Sequence, residues 1–386
     1  MFPIRLLSVV VTVGVVAGCA AAPPIEVPEL AMAVPEGWTG ADLENGNVSI
    51  DWWRDFSDDG LSSAVETAID QNYDLQAAAA RLEQVAFDAR IAGGALMPSL
   101  QASYNSIRRK QNFVGFPIPG AEGRVLSTVF TNQSSSFDIS WEVDLWRKLR
   151  AGEQAALAEL QRSAAELRGA QLSIAGQTAK AWFAIAEAQQ QVSLSEATVA
   201  NFLESSERVR DRFEAGIRPA LDLRLALLNV SNAEAQLDQR KQQLDAAKRQ
   251  LDVLLGRYAD GTLPTPEILP ATPSNVPGGL PADLVSRRPD LVAAERAVAA
   301  SEARLQVARR ELLPTISLTA NTGTSTNALR SILNGDFSVW GLVGNVVAPL
   351  WQGGRLRAQA SRQEALVAEI LATYVNTALL AYSEVE

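Results

Sequence analysis

Segment 136–145 alternates strictly between apolar and polar side chains. A period of two predicts a β-strand with one apolar and one polar face. The length also fits a barrel strand that crosses a lipid bilayer, with polar side chains towards a lumen. We predict that the apolar residues face lipid, namely Phe137, Ile139, Trp141 and Val143. The polar residues then face the lumen, namely Ser136, Asp138, Ser140, Glu142 and Asp144.

From Trp146 the pattern becomes helical for about 110 residues, with one break near Gly216. Apolar residues recur every seven positions on both sides of the break, a spacing typical of left-handed coiled-coil packing. Gly216 suits a left-handed residue just past a helix end, and Pro219 suits the first turn of the next helix. Helices joined so tightly run antiparallel, so we predict a long helical hairpin. The two series are Leu160, Leu167, Ile174, Ala181 and Ala188, then Leu223, Val230, Leu237, Leu244 and Leu251.

Shorter patterns predict the remaining elements. A helix is expected over 61–97 because Pro98 follows it, and alternation predicts strands over 99–104, 315–322 and, more weakly, 337–350. Segment 108–132 has Gly and Pro residues and no period, which favours a loop. Its basic cluster, Arg108-Arg109-Lys110, could meet anionic lipid headgroups or could simply be solvated.

The chain repeats itself at an offset of 216 residues. Met97-Pro98-Ser99-Leu100 reappears at this offset as Leu313-Pro314-Thr315-Ile316, and Leu145-Trp146 matches Leu350-Trp351 at an offset of 205. The repeated unit is helix, strand, strand, long helix. We assign the first repeat to 61–255, a Pro-rich connector to 256–283 and the second repeat to 284–386. The second repeat stops inside a helical pattern, so we expect it to be C-terminally truncated.

Four strands are too few to close a barrel, and open sheet edges are not tolerated in lipid. The patterns therefore predict an α+β membrane protein, with a transmembrane β-barrel shared between copies of the chain and a hairpin tunnel attached to it. Closure alone does not choose between two, three or four copies. A coiled coil without a pore shows the same helical periodicity and remains an alternative.

The N-terminus has the layout of a secretory signal. Arg5 precedes an apolar run, Leu6–Val16, that is short for a transmembrane helix. Val16-Ala17-Gly18-Cys19 resembles a bacterial lipobox, so we expect a signal peptide over 1–18, a lipid on Cys19 and an extended tether over 19–60. An ordinary signal peptide with a chance cysteine is the alternative. Ala20, rather than Asp, implies retention in the outer membrane.

Composition narrows the chemistry. The chain has no His and one Cys, which removes the common catalytic triads and zinc sites. A net charge of −10 argues against nucleic acid as a partner. No glycine pair fits a phosphate loop or a dinucleotide fingerprint. We therefore expect no enzyme activity, no cofactor and no metal.

Several motifs are weak alone but specific in their order and spacing. They are Trp52-Trp53-Arg54-Asp55-Phe56, Asn72-Tyr73-Asp74-Leu75, Arg287-Arg288-Pro289-Asp290-Leu291, Ala294-Glu295 and Leu313-Pro314-Thr315-Ile316-Ser317-Leu318. With these motifs and the lipobox, the chain resembles the TolC family of outer-membrane efflux ducts, most of all its NodT-type lipoprotein branch. The resemblance covers nearly all of the mature sequence.

The resemblance implies a homotrimer with a twelve-stranded barrel in outer-membrane lipid and a helical tunnel across the periplasm. A periplasmic adaptor and an inner-membrane RND pump are the expected partners, and drugs or other small molecules are the expected cargo. A type I protein-secretion duct and a non-pore coiled-coil periplasmic lipoprotein are the alternatives. The tip residues implied to meet the adaptor and the periplasmic gate are Gly216, Leu221, Asp222, Leu223 and Ala226. Plain turn and heptad packing would explain the same residues.

Overall fold

A computed structural model describes residues 49, 51–113, 125–263, 266, 268–273 and 287–386. Cys19, the signal peptide and most of the tether lie outside these ranges, as does much of the connector. The helices are α1 (Asp59–Gln71), α2 (Tyr73–Gly94), α3 (Lys148–Glu214), α4 (Ala220–Leu254), α5 (Pro289–Arg310) and α6 (Arg355–Val385). The strands are β1 (Ser99–Phe113), β2 (Leu126–Val143), β3 (Thr315–Thr326) and β4 (Ser338–Val347). Short 3₁₀ turns occupy Trp52–Phe56, Leu329–Ser331 and Gly335–Phe337.

The four strands form one antiparallel sheet in the order β1-β2-β3-β4. β1 and β2 are longer than predicted, and their pairing continues from Ser99 opposite Ser140 to Phe113 opposite Leu126. The predicted loop over 108–132 is therefore wrong at both ends, where the chain is in strands. Residues 105–113 and 126–134 are largely polar on both faces of the sheet. The alternation between apolar and polar residues that predicts a strand is therefore absent there.

The predicted helix over 61–97 is two helices, broken at Asn72. Asp58 caps α1 by accepting a hydrogen bond from the Leu61 amide, and Asn72 caps α2 by accepting from Asp74 and Leu75. Both are residue types that prefer this position because their side chains satisfy free amides of the first turn. Asp58 thus fixes the start of α1, and Asn72 fixes the start of α2 at the break.

The predicted hairpin is confirmed. α3 and α4 pack side by side, and an ion pair of 3.5 Å between Lys241 and Glu196 crosses between them. Gly216 has φ +71°, as expected for a left-handed residue after a helix, while Pro219 lies one residue before α4 rather than in its first turn. The second heptad series lies on the packing side of α4, where Val230, Leu244 and Leu251 are buried. The first series is less regular: Ile174 is buried, and its other four members are half-buried.

The repeat is visible in the fold. α2 and α5 have 22 residues each and begin 216 positions apart, at Tyr73 and Pro289. β1 and β3 begin at the same offset, at Ser99 and Thr315. Equivalent helices thus lead into equivalent strands in the two halves of the sheet.

Helix α5 packs against α3, and α6 packs against α5. Ion pairs join α5 to α6 at both ends, from Arg309 to Glu364 at 3.2 Å and from Arg288 to Glu384 at 2.8 Å. By length and composition alone, α6 is the one helix of the described residues that could span a membrane. Tyr374 and Tyr382 of α6 are buried, so one side of α6 packs within the protein.

Candidate functional site

One face of the sheet is an apolar band in which side chains of all four strands lie in register. Ile139 is opposite Leu100 on one side and Ala320 on the other, and Ala320 is opposite Leu342. The side chains of this band include Leu100, Ala102, Phe137, Ile139, Trp141, Val143, Ile316, Leu318, Ala320, Trp340, Leu342 and Val346. Trp340 is 82% exposed and Leu342 is 71% exposed, so the described residues leave much of this face uncovered. A large uncovered apolar surface marks a contact with lipid or with another protein.

The opposite face carries polar side chains in register on β1, β2 and β3, whereas β4 contributes mainly Val339, Val343 and Val347 to it. Asp138 lies between Gln101 and Asn321, one strand to each side. Ser136 donates a hydrogen bond of 2.7 Å to the Asp138 carboxylate, and its hydroxyl lies 2.8 Å from that of Ser103. These contacts place Ser136 and Asp138 on one face and hold the Asp138 carboxylate against the sheet.

The two acidic side chains at the end of β2 next to α3, Glu142 and Asp144, both have partners. The Glu142 carboxylate lies 2.6 Å from the Lys148 ammonium in the first turn of α3. Asp144 follows the last residue of β2, and its two carboxylate oxygens accept hydrogen bonds from the amides of Leu149 and Arg150. Asp144 therefore caps α3, a role that the strand pattern did not predict but that its position before a helix could have suggested.

Two tryptophans mark the junction between the sheet and the helices. The Trp141 indole donates to the carbonyl of Leu96 at 3.0 Å, and the Trp146 indole donates to the carbonyl of Pro314 at 2.6 Å. Both acceptors lie in the equivalent helix-to-strand turns of the two repeats. An aromatic ring with an apolar body and a satisfied polar end is typical of a membrane–water interface.

Both outer strands of the sheet have an open edge. Neither β1 nor β4 has a strand partner on its outer side among the described residues. Their free amides and carbonyls would remain unsatisfied in hydrocarbon, where each costs several kcal/mol. The edges therefore require further strands if the apolar band lies in lipid.

The hairpin tip is a second exposed region, at the far end of α3 and α4. Arg218 and Asp222 form an ion pair of 3.1 Å across the start of α4, while Ile217 and Leu221 are largely exposed. Leu223 and Ala226 are half-buried and share a helix face with buried Val230. Among the tip residues predicted from the sequence, Leu221 is thus exposed and Asp222 forms an ion pair. Leu223 and Ala226 pack along the hairpin.

An open cavity of about 600 Å³ lies where α1 packs against α3 and the end of α4. Asp58, Gly60 and Trp182 line one side, and the Trp182 indole donates to Asp58 at 3.0 Å. Gly60 lies so close to the Trp182 ring that a Cβ would stand 2.6 Å from it. Within the described ranges, no group of three or more acidic, His or Cys side chains could hold a metal ion.

The basic cluster, Arg108-Arg109-Lys110, lies on β1 and not in the predicted loop. Arg108 is opposite Thr131 and Lys110 is opposite Val129, so both share the face of the apolar band, and Arg109 lies on the other face. All three side chains are exposed. The available signal was the run of strand-compatible residues from Ser99 to Phe113, which has no Gly or Pro.

Comparison with known proteins links this architecture to one family. The family described as outer membrane efflux protein matches residues 64–257 and 280–386. The chain is 28% identical to the probable efflux pump outer membrane protein TtgC of Pseudomonas putida, covering 98% of this chain and 79% of TtgC. It is also 28% identical to the outer membrane protein OprJ of Pseudomonas aeruginosa, covering 100% of this chain and 79% of OprJ.

Solved structures share the fold. The outer membrane channel CmeC of Campylobacter jejuni superposes with a TM-score of 0.84 at 22% identity, over 92% of this chain and 76% of that one. A membrane protein from Pseudomonas aeruginosa superposes with a TM-score of 0.83 at 27% identity, over 95% of this chain and 82% of that one. The helices and the four-stranded sheet are thus those of outer-membrane channels.

Proposed function

Because the chain belongs to the outer membrane efflux protein family, we propose that it is the outer-membrane channel of an efflux pump. It conducts small molecules passively to the exterior. The observation that carries this proposal is the four-stranded sheet with one apolar face, an opposite face that is polar on three of its four strands, and two open edges. Such a sheet is one sector of a barrel wall, and a barrel closed around a polar lining is a water-filled path.

The apolar band faces lipid and the polar face lines the lumen. With this orientation Phe137, Ile139, Trp141 and Val143 contact hydrocarbon, while Ser136, Asp138, Ser140 and Glu142 contact water. Inversion would place the charged Asp138 side chain in the membrane, which is unfavourable. Asp144 belongs to the mouth of the path through its cap on α3 rather than to the barrel wall.

The open edges of β1 and β4 support assembly from copies of the chain. β4 of one copy pairs with β1 of the next, which satisfies the free backbone groups. Three copies give twelve strands, more than the roughly eight needed for the smallest lipid-embedded barrels. Closure also permits other numbers, and the trimer rests on the resemblance to the TolC family.

The hairpin extends from the barrel into the periplasm, and its tip meets an adaptor that connects to an inner-membrane RND pump. The names of relatives such as TtgC, an efflux pump outer membrane protein, support the pump as a partner. The exposed Ile217 and Leu221 and the turn at Gly216 offer the contact surface. Asp222, with Leu223 and Ala226 behind it, contributes to the periplasmic gate, where an ion pair with Arg218 is already formed.

A lipid on Cys19 anchors the chain to the outer membrane. The support is the lipobox in the sequence, since Cys19 lies outside the described residues. Cys19→Ser should abolish acylation and weaken retention in the membrane fraction, while the barrel remains able to insert. Unchanged incorporation of labelled palmitate would show that the lipobox assignment is wrong.

Conductance in planar bilayers tests the channel itself. Purified assemblies of the chain should produce discrete steps of ionic current, because a closed barrel with a polar lining is filled with water. A coiled-coil lipoprotein without a pore would produce none. Accumulation of a fluorescent drug, compared with export of an unfolded polypeptide in the same cells, separates efflux from protein secretion.

A further inference from the structure

Two of the three basic side chains of β1, those of Arg108 and Lys110, lie on a face of the sheet that is otherwise uncharged. Strand pairing places Arg108 and Lys110 on the side of Leu100, Ala102 and Tyr104. No described residue on this side of any of the four strands is acidic. The carboxylates of the described strand residues, Asp138 and Glu142, project from the opposite face.

Their height relative to the apolar band is also specific. The band ends near Tyr104, and Arg108 lies four residues further along β1. Four residues rise about 13 Å along a strand, or about 10 Å along the bilayer normal at a tilt near 40°. Long basic side chains reach several ångströms further. Their charges therefore meet the headgroup layer rather than the hydrocarbon.

Arg108 and Lys110 together are suited to binding an anion. Arg108 and Lys110 point to the same side two residues apart, about 7 Å along the strand, and neither forms an ion pair with another described residue. A guanidinium binds phosphate oxygens in a bidentate manner, and an ammonium adds a point charge beside it. A phosphate-bearing lipid next to the barrel supplies this partner and buries its acyl chains against the apolar band.

We propose that Arg108 and Lys110 bind the phosphate groups of an anionic lipid in the outer leaflet of the outer membrane. The inference rests on the proposed function, since it needs the apolar band to face lipid. Arg109, with its side chain on the lumen side opposite Phe130, takes no part. It offers a matched control, because it is a neighbouring cation that differs chiefly in the face from which it projects.

Lipid binding to nanodisc-embedded protein tests the proposal, with bis-phosphorylated lipid A as the probe and its dephosphorylated form for comparison. Each juxtamembrane cation contributes about a five-fold change in affinity for an anionic surface, so Arg108→Gln and Lys110→Gln together should weaken lipid A binding about 25-fold. Each single variant should weaken it about five-fold. Arg109→Gln should stay within about two-fold of the unmodified chain, and dephosphorylation should abolish the difference between variants.

Equal weakening by Arg109→Gln and Arg108→Gln would overturn the assignment of faces, and unchanged binding by the double variant would overturn the site. Displacement of lipid A by inorganic phosphate at the same concentration would show a phosphate site rather than a lipid site. Planar-bilayer conductance of the unmodified chain reports on the channel separately. The double variant should still conduct although it has lost lipid A binding. An unmodified chain that binds lipid A without conducting would refute the proposed channel but not the lipid site.

Discussion

The side-chain amide of Asn72 donates a hydrogen bond of 2.9 Å to the main-chain carbonyl of Leu254, 182 residues away in sequence. The oxygen of the same side chain accepts from the amides of Asp74 and Leu75 and so caps α2. Asn72 is only 4% exposed. One buried side chain therefore joins the break between α1 and α2 to the end of the hairpin helix α4.

Asn72→Ala should lower the free energy of unfolding by about 1–3 kcal/mol, because it removes a cap and leaves the Leu254 carbonyl without this donor. Asn72→Asp keeps the cap acceptor but loses the donor. It should therefore also be destabilised, because a carboxylate oxygen would then face the Leu254 carbonyl oxygen in place of the amide donor. Denaturant unfolding in detergent measures both. A change below about 0.5 kcal/mol for the alanine variant would contradict the role of Asn72.

Two glycines with the same left-handed backbone should respond differently to alanine. Gly256 has φ +69°, and a Cβ there would stand 2.4 Å from the Gln71 carbonyl oxygen. Gly216 has φ +71° and open space around it. Gly216→Ala should cost about 1–2 kcal/mol of conformational strain, and Gly256→Ala clearly more because the backbone at Gln71 must move. Equal melting temperatures for the two variants would be inconsistent with this packing.

Arg147 adopts a left-handed conformation, φ 60°, at the start of α3, where the equivalent residue before α6 is Gly354 at φ 80°. Arg147→Gly should relieve about 1–2 kcal/mol of strain and lose about 0.5–1 kcal/mol through the freer unfolded chain, a net gain in stability. The hydrogen bond from Arg310 to the Arg147 carbonyl is retained. Gly354→Ala should be destabilising, and thermal unfolding of both variants checks the opposite signs.

Two acidic residues of α5 should give opposite pH dependences. Burial raises the pKa of Glu302, and its Oε2 has no hydrogen-bond partner within the described residues. Stability therefore falls as pH rises through the folded pKa, so Glu302→Gln should be more stable than the unmodified chain at pH 7 and equal to it below about pH 4.

A hydrogen bond from Arg288 lowers the pKa of Asp290, so its stabilisation is present above the unfolded pKa and disappears on acidification. Asp290→Asn should accordingly be less stable at pH 7 and equal at low pH. Melting temperatures that shift in the same direction would refute this assignment.

The sequence predicted elements wherever one face differs from the other. Segment 136–143 was recognisable because its apolar and polar sides meet different environments, and the hairpin turn was recognisable from Gly216 and Pro219. The halves of β1 and β2 that lie farther from the helices lack that contrast, so the sequence predicts a loop at Arg108 and Lys110. Strand pairing to Thr131 and Val129, which is a non-local contact, reveals their face.

The break at Asn72 shows a second limit. A single Asn within an alanine-rich helical pattern can be accommodated in a helix, and the sequence around it predicted one continuous element. The helix ends there because Asn72 caps α2 and at the same time reaches Leu254 at the end of α4. A partner so distant in sequence cannot be read from local periodicity, just as the cap that Asp144 provides to α3 was hidden within the strand alternation.

We propose above that the polar face of β2 lines a water-filled pore. Single cysteines at Phe137, Asp138, Ile139 and Ser140, in a Cys19→Ser background, test it through block of planar-bilayer current by a charged, membrane-impermeant thiol reagent. The reagent should block the current through Asp138→Cys and Ser140→Cys and leave the current through Phe137→Cys and Ile139→Cys unchanged. Block at Phe137 and Ile139, or the same response at all four positions, would contradict it.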